Sequence, residues 1–242
     1  MYKRQTIIRE SVPDCYADLG YKTVSTNPCG EIPLCPYDSC RLLAINLYSY
    51  VVNPFKPDAY FDFDLFHKHV ALAQRIMDDN KINADPENEE VKRAERVLWE
   101  KIYKKSGQGR RTGVGITAEG DMLAALGLRY GTEEATEFSE KVHKTVALGA
   151  YRSSVEMAKE RGAFEIYSNE REQNNPFIQR LAEADPELYA EMKKYGRRNI
   201  ACLTIAPTGT TSLMTQTTSG IEPVFLPVYK RRRKVNPNDT NV

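Results

Sequence analysis

Five residues near the N-terminus, Asn27-Pro28-Cys29-Gly30-Glu31, bring together side chains that could support redox or radical chemistry. The proline fixes its own backbone and disfavours helix at the residue before it, while Gly30 permits a sharp bend beside Cys29. The turn therefore offers a thiol, a carboxylate that can act as a base, and an amide that can donate hydrogen bonds. The alternative is an ordinary surface turn around a structural cysteine, because free cysteines are often simply packed. A second thiol, Cys40, follows eleven residues after the first.

A second candidate segment, Pro207-Thr208-Gly209-Thr210-Thr211-Ser212, directly follows a predicted buried strand. Glycine allows close approach of the backbone, and hydroxyl and backbone N–H groups can donate to anionic oxygens, so the segment is a plausible phosphate cradle. The segment lacks the Gly-Lys-Ser/Thr of a Walker loop, which argues against a nucleotide hydrolase of that type. The alternative is a structural loop without a ligand.

The remaining metal-binding residue types do not form a recognisable site. The histidines lie in predicted helices without ligand-like spacing to the cysteines, and we expect His67, His69 and His143 to be surface or packing residues. Cys35 and Cys40 lie five residues apart, but a zinc site requires four ligands in paired spacing. The sequence therefore predicts no metal site built from protein side chains.

Composition argues for an ordinary globular protein. Of the 242 residues 41% are hydrophobic and 28% are charged, and the net charge of +1 gives no indication of nucleic-acid or membrane-surface binding. The sequence contains no apolar run of about 18 residues and no signal-peptide core, so we expect a cytoplasmic location. Five cysteines are an odd number in a long chain, which argues against a secreted disulfide framework.

The hydrophobic pattern predicts alternating strands and helices around the two candidate segments. Strands are predicted at 21–26, 42–52, 111–117 and 199–206, and helices at 62–79, 86–105, 119–127, 132–161, 176–183 and from 185 to Gly196. Glycine inside the strand 111–117 indicates close approach of another backbone or of a ligand. The order of elements favours an α/β architecture.

Three ordered groups of residues resemble the large subunits of ribonucleotide reductases. The first group resembles their finger loop and consists of Asn27-Pro28-Cys29-Gly30-Glu31-Ile32-Pro33-Leu34, Asp38-Ser39-Cys40 and Ala44-Ile45-Asn46-Leu47. The second group lies between the other two and consists of Arg110-Arg111-Thr112-Gly113 and Gly120-Asp121-Met122-Leu123. The third group resembles their phosphate-binding loop and the region after it, and consists of Pro207-Thr208-Gly209-Thr210 and Gly220-Ile221-Glu222-Pro223. The similarity covers residues 7–235, and the eleven-residue gap between the cysteines resembles the adenosylcobalamin-dependent (class II) branch.

The resemblance implies reduction of ribonucleoside di- or triphosphates to 2′-deoxyribonucleotides for DNA synthesis, with adenosylcobalamin as the radical source. Cys29 would become the thiyl radical that abstracts hydrogen from the ribose 3′ carbon, and Glu31 would be the general base on the 3′ hydroxyl. Asn27 would hold the ribose hydroxyls and the Glu31 side chain by hydrogen bonds. Cys40 would be one half of the reducing dithiol, and residues 207–212 would anchor the substrate phosphates.

The resemblance also implies a fold and a set of partners. Residues 1–242 would be the second half of a ten-stranded α/β barrel with its finger loop, and residues 1–5, MYKRQ, are typical of adapter sequence and are expected to be non-native. The first half of the barrel, which holds the second dithiol cysteine, should precede the finger loop, and Cys15 is too close to replace it. We therefore expect a fragment that is inactive alone and needs the missing N-terminal half, arising from a truncated frame or a natural split subunit.

Two other functions remain open from the sequence. The chain could be the same segment of a class I large subunit, which depends on a metal-containing small subunit, or a nucleotide-binding remnant without activity. For the whole enzyme, a thioredoxin-type reductant is expected to reduce the dithiol. Neither nucleic acid nor a membrane is an expected partner.

Overall fold

The computed structural model describes residues 11–79 and 89–226, together with 228 and 230. The strands are short, and the α-helices account for about half of the described residues. Two 3₁₀ helices span Val12–Leu19 and Leu47–Tyr50; the strands are β1 (Ser25–Thr26), β2 (Pro33–Leu34), β3 (Arg41–Asn46), β4 (Val51–Val52), β5 (Tyr60–Phe61) and β6 (Thr112–Thr117); the α-helices are α1 (Phe63–Asp79), α2 (Glu89–Gly109), α3 (Glu119–Ala125), α4 (Glu133–Arg161), α5 (Asn169–Glu172), α6 (Pro176–Ala184), α7 (Pro186–Tyr195) and α8 (Gly209–Thr215).

The centre of the fold is the parallel pair β3–β6, in register from Arg41 opposite Thr112 to Asn46 opposite Thr117. The segment 199–204 runs along the other edge of β6 in the same direction. Thr112 N–H donates to the Ala201 carbonyl at 3.0 Å, and Val114 N–H donates to the Cys202 carbonyl at 2.8 Å. Parallel neighbours require long crossovers, which the helices between these segments supply. The α/β architecture predicted from the sequence is confirmed.

The strand predicted at 199–206 forms only an isolated parallel bridge, between Leu203 and Val114. The reason is the close approach at Gly115, where an added Cβ would lie 2.0 Å from the Thr204 carbonyl oxygen. The segment therefore turns across the glycines of β6 after a short pairing. The strand glycines mark close approach of another backbone, which is one of the two outcomes that their position predicts.

Two other predicted strands are shorter than expected. The run at 21–26 pairs only through Ser25 and Thr26, which form an antiparallel hairpin with Pro33 and Leu34. The run at 42–52 is interrupted after Asn46, because the side chain of that asparagine accepts a hydrogen bond from Tyr48 N–H at 3.1 Å and starts a 3₁₀ turn. The chain returns to strand only at β4.

The predicted helices agree closely with the structure. Helix α4 begins after Thr132, whose hydroxyl accepts a hydrogen bond from Ala135 N–H at 3.3 Å, and α7 begins after Asp185, whose carboxylate accepts one from Leu188 N–H at 2.9 Å. The predicted start at Asp85-Pro86-Glu87 lies outside the described residues. No helix in the described part of the chain is long and apolar enough to cross a membrane.

Helices α1 and α4 pack together and cover one face of the β3–β6 pair. Gly149 allows this approach, since an added Cβ there would lie 3.0 Å from Val70 Cγ1. The main core contains fully or nearly fully buried residues from both helices and from both strands: Phe66, Val70, Met77, Val142, Val146, Val155, Ile45, Val114 and Ile116. This packing fixes the strand ends that carry the candidate site.

A buried polar network joins α1, β6 and the segment 199–204. Asn199 accepts hydrogen bonds from Gln74 at 2.9 Å and from Ser154 at 2.8 Å, and donates to the Asp78 carboxylate at 2.9 Å. Arg110 also binds Asp78, with an Nε–Oδ1 distance of 2.9 Å. Burial opposes the charge on this carboxylate, but the hydrogen bond and charge of Arg110 outweigh it and hold the pKa of Asp78 below its usual value.

A second buried ion pair joins Arg197 to Glu172, and both side chains are almost fully buried. Arg197 also donates to the carbonyls of Asn199 and Ile200, each at 3.0 Å. The hydroxyl of Tyr16 donates to Glu172 at 2.5 Å. The first 3₁₀ helix, α5 and the start of the third parallel segment are therefore tied to one buried charge pair.

Replacing Arg197 with alanine should lower the free energy of unfolding by about 3–5 kcal/mol, because Glu172 would stay buried without its partner. Urea denaturation of the two proteins measures the difference. Arg171→Ala is the matched control, since its ion pair with Asp18 lies on the surface and its loss should change stability little. Equal effects of the two substitutions would contradict the importance of the buried pair.

Asp78 should make the free energy of unfolding depend on pH. Its pKa is depressed in the folded state, so its contribution is present above the ordinary aspartate pKa of about 4 and is lost as the pH falls through the lower, folded value. The difference in unfolding free energy between the parent and Asp78→Asn should be largest near pH 7 and shrink below about pH 4. Asp58→Asn, which removes an exposed carboxylate, is the control for the loss of a surface charge. A difference independent of pH would contradict the assignment.

Candidate functional site

The finger hairpin, which we define as residues 25–34, presents Cys29 at its tip. Asn27 shapes the turn, because its backbone N–H donates to the Ile32 carbonyl at 3.2 Å and its side-chain Oδ1 accepts from Ile32 N–H at 3.0 Å. Gly30 has φ +83°, a conformation that favours glycine. Cys29 is exposed and reduced. The structure thus places the predicted radical cysteine on a tight, asparagine-braced turn at the surface.

Glu31 points inward from the same turn. It lines a cavity of about 180 Å³ together with Ser11, Arg111 and Cys202. Its Oε2 atom is buried and has no hydrogen-bond partner among the described residues. A buried carboxylate oxygen with an unused acceptor site can take a proton or a hydrogen bond from a ligand. The geometry is compatible with the base role that the sequence predicts, which stays a prediction.

Cys40 lies just before β3 and is half-buried. Its sulfur sits over β6, since a Cβ added at Gly113 would lie 2.8 Å from it. Burial raises the pKa of the Cys40 thiol to about 12, and the positive charge of Arg111 works against that rise. The Glu31 carboxylate adds to the rise, so these two predicted site residues lie near enough to interact electrostatically.

An ion pair between Asp38 and Arg111 fixes the segment before Cys40 to the start of β6. Arg111 donates from Nε at 2.9 Å and from Nη2 at 2.7 Å to the same Asp38 oxygen, and both side chains are about 95% buried. The pair joins the first and second groups of motif residues. Sequence reasoning missed it because the partners lie 73 positions apart; the one signal was that each residue belongs to a motif.

The predicted phosphate loop is not a loop throughout, because residues 209–212 form the first turn of α8 (Gly209–Thr215). Its hydroxyl residues divide into buried and exposed ones. Thr208 is buried, lies 2.7 Å from the Thr117 hydroxyl, and accepts from Gly220 N–H at 3.1 Å. The hydroxyl of Ser212, which is also buried, donates to the Gly209 carbonyl at 3.1 Å. Thr210 and Thr211 are exposed. Two of the four hydroxyls therefore shape the loop, and two remain accessible to a ligand.

The third group of motif residues docks onto the end of β6. Thr218 N–H donates to the Asp121 carboxylate at 2.6 Å, and Glu119 N–H donates to the Gly220 carbonyl at 3.3 Å. Gly120 lies against the chain at Pro223, where an added Cβ would be 2.6 Å from the proline Cα. The second and third motif groups thus form one junction. Its positioning residues are Asp121, a member of the second motif group, and Thr117, which the sequence did not single out.

The two halves of the candidate site adjoin opposite ends of one strand. Arg111, which holds the Cys40 segment, precedes β6, and Thr117, which holds the phosphate loop, ends it. The structure brings Glu31 and Cys40 together, and separately brings Thr208 to Thr117 and Gly220. The six residues of β6 span about 20 Å. The Cys40 sulfur lies over the second of them, Gly113, so the distance between the two groups is shorter than the strand.

The histidines and the other cysteines take structural positions. His69 Nδ1 lies 2.9 Å from the Tyr50 hydroxyl, and His143 Nε2 lies 2.9 Å from Glu119 Oε2. Cys202 is fully buried in the main core. Within the described ranges no group of three or more histidine, cysteine, aspartate or glutamate side chains could hold a metal ion.

The sequence matches the family described as the ribonucleotide reductase barrel domain over residues 18–240. The chain belongs to this ribonucleotide reductase family. It is 32% identical to the vitamin B12-dependent ribonucleoside-diphosphate reductase of Mycobacterium tuberculosis, over 86% of this chain and 25% of that protein. It is 35% identical to the protein of the same name from Thermoplasma acidophilum, over 86% of this chain and 23% of that one. The reductase subunit alpha of Chlamydia pneumoniae is 26% identical, over 83% of this chain and 20% of that subunit. The chain spans about a quarter of the length of the vitamin B12-dependent relatives, and the likeness to them exceeds the likeness to the subunit alpha.

The junction at Gly120 yields a stability test within this reductase family member. Gly120→Ala should lower the free energy of unfolding by about 1–3 kcal/mol, because the new methyl group would overlap the backbone at Glu222 and Pro223. Gly107→Ala, in α2, is the matched control: nothing lies within 4 Å of the added carbon, and alanine favours helix. Urea unfolding of both variants measures the difference. A Gly120→Ala protein as stable as the parent would mean that the junction does not form as described.

Proposed function

We propose that this chain supplies the finger-loop part of the catalytic barrel of an adenosylcobalamin-dependent ribonucleoside-diphosphate reductase, which makes 2′-deoxyribonucleotides for DNA synthesis. The observation that carries the proposal is the finger hairpin, with Cys29 exposed at its tip and the inward-facing Glu31 two residues later. The names of the relatives at 32% and 35% identity support the reaction and its dependence on vitamin B12.

In the proposed reaction Cys29, as a thiyl radical, takes a hydrogen atom from the ribose 3′ carbon, and Glu31 takes the proton of the 3′ hydroxyl. The free Oε2 acceptor of Glu31 suits this role. Asn27 holds the turn and contacts the ribose hydroxyls. Water leaves from the 2′ carbon, and Cys29 finally returns its hydrogen atom to the 3′ carbon.

Cys40 is one half of the dithiol that is oxidised when the substrate is reduced. It and a second thiol together supply two electrons and two hydrogens, and the two sulfurs form a disulfide. All five cysteines of this chain are free, and none forms a disulfide with another. The second thiol belongs to the first half of the barrel, and a thioredoxin-type reductant restores the dithiol in the whole enzyme.

The substrate phosphates bind at the loop Pro207–Ser212. The exposed Thr210 and Thr211 and the backbone N–H groups of the loop donate to the phosphate oxygens, while the buried Thr208 and Ser212 hold the loop in shape. Fixing the phosphates orients the sugar with respect to the thiyl radical. The arrangement suits a polyphosphate substrate, diphosphate or triphosphate.

The residues present are compatible with a cobalamin cofactor. Such a cofactor brings its own ring ligands for cobalt, so it does not need a cluster of protein ligands, and the described residues provide no such cluster. Cys29 is exposed and accessible to a bulky radical source, and it is the residue of this chain that we assign to face the cofactor. When bound, adenosylcobalamin supplies the radical equivalent that the Cys29 thiol needs.

The barrel itself requires more strands than the described residues contribute. β3, β6 and the segment 199–204 form three adjacent parallel members of the proposed ten-stranded barrel. Leu42, on β3, is half-exposed, and Leu213 and Met214, on α8, are exposed. A polypeptide that supplies the first half of the barrel is therefore the proposed partner.

Complementation tests the proposal. This chain alone should not reduce ribonucleotides, whereas mixing it with a polypeptide carrying the first barrel half, adenosylcobalamin, a ribonucleoside diphosphate and a dithiol reductant should yield deoxyribonucleotide, measured by chromatography. Cys29→Ser should abolish the product, because a hydroxyl cannot form the thiyl radical. The matched control, Cys15→Ser, should retain it.

Product formation by the Cys29→Ser mixture would refute the radical assignment. Product that forms without adenosylcobalamin, but requires a metal-containing small subunit, would place the chain in the class I branch instead.

A further inference from the structure

The ion pair between Asp38 and Arg111 lies beside the sulfur of Cys40. In the parallel register Arg41 lies opposite Thr112, and Cys40 and Arg111 are the residues that directly precede this first pair. The Cys40 sulfur lies over Gly113, two residues after the arginine. Asp38, two residues before the cysteine, approaches the guanidinium with two contacts under 3.0 Å.

Arg111 also acts electrostatically on Cys40. Among the charged groups near this cysteine, it is the one that most favours the thiolate form. A cationic side chain beside a cysteine ordinarily lowers its pKa and makes it reactive. Here the guanidinium is 95% buried and both of its short contacts go to a carboxylate, so the pair as a whole is neutral. The other charged groups that act on Cys40 are Arg41 and Glu31, which have opposite signs.

We propose that the Asp38–Arg111 pair is a positioning device for Cys40, and that neutralisation of Arg111 by Asp38 adds to burial in keeping this sulfur in its thiol form. Asp38 sets the backbone as well, since its Oδ1 accepts a hydrogen bond from Ser39 N–H at 2.9 Å. The inference rests on the proposed function only for the use of the thiol: a cysteine that must deliver hydrogen to a substrate has to hold its proton until it reacts. The chemistry of the pair itself is measurable in this chain without turnover.

The test uses two single substitutions that should move Cys40 in opposite directions. Asp38→Asn leaves the arginine charge unbalanced, so alkylation of Cys40 by iodoacetamide at pH 8 should become about tenfold faster, equivalent to about one unit of thiol acidity. Arg111→Gln leaves the aspartate charge unbalanced and should make the alkylation slower than in the parent. Mass spectrometry of the digested protein follows each cysteine separately.

Three controls separate charge from structure. The exposed Cys29 provides an internal reference in every sample, and its rate should not change. Arg111→Lys keeps the charge and should leave the Cys40 rate near the parent value. The double variant Asp38→Asn, Arg111→Gln removes both charges and should also react near the parent rate. It removes the unbalanced buried charge as well, so it remains informative if a single variant fails to fold.

A purely structural role predicts a different result. Loosening of the segment would expose Cys40 and accelerate its alkylation in both single variants and in the double variant. Acceleration in both single variants, or an unchanged rate in Asp38→Asn, would overturn the proposal. If Asp38→Asn does not fold, a double variant that reacts no faster than Arg111→Gln would overturn it. If the parent chain forms no deoxyribonucleotide in complementation but the alkylation pattern is as expected, the proposed function is refuted. The role of the Asp38–Arg111 pair at Cys40 would still stand.

Discussion

The close approach of the segment 199–204 to the glycines of β6 is the constraint on which the rest of the structure depends. At Gly115 the carbonyl of Thr204 occupies the place where any side chain would begin, and at Gly113 the side chains of Cys40 and Thr204 fill the corresponding space. A larger residue at either position would separate three parallel segments that share one hydrogen-bonded core. Both parts of the candidate site adjoin the ends of this strand, so the packing of its glycines also fixes where the chemistry can occur.

Buried charge pairs connect distant parts of the chain around this centre. The Asp38–Arg111 pair fixes the Cys40 segment, and the Glu172–Arg197 pair fixes the first 3₁₀ helix and α5. Asp78 forms ion pairs with arginines from two segments. Such pairs contribute little net stability compared with apolar residues of the same shape, but breaking one is costly because the remaining charge stays buried. Their physical effect is to permit one arrangement of the connected segments and to penalise others.

The candidate site combines an exposed cysteine with partners that are partly buried. The tip of the finger hairpin leaves Cys29 accessible, while Glu31 and Cys40 lie near each other at the start of β6. The opposite end of the strand holds the phosphate loop through the hydroxyls of Thr117 and Thr208. A strand that is buried along its whole length gives both groups a rigid support, as the proposed positioning of a radical against a sugar would require.

The sequence by itself determined the local features and the family. The turn at 27–31, the helices with hydroxyl or carboxylate caps, and the motif residues from Asn27 to Pro223 follow from short-range spacing and from residue types whose backbone preferences are strong. The sequence also indicated that the glycines of β6 mark a close approach. It did not reveal the shortness of the third parallel segment, the Asp38–Arg111 pair, or the division of the loop hydroxyls into structural and accessible ones. Each of these depends on contacts between residues dozens of positions apart, and only the tertiary packing decides which distant groups share a buried site and which remain in water.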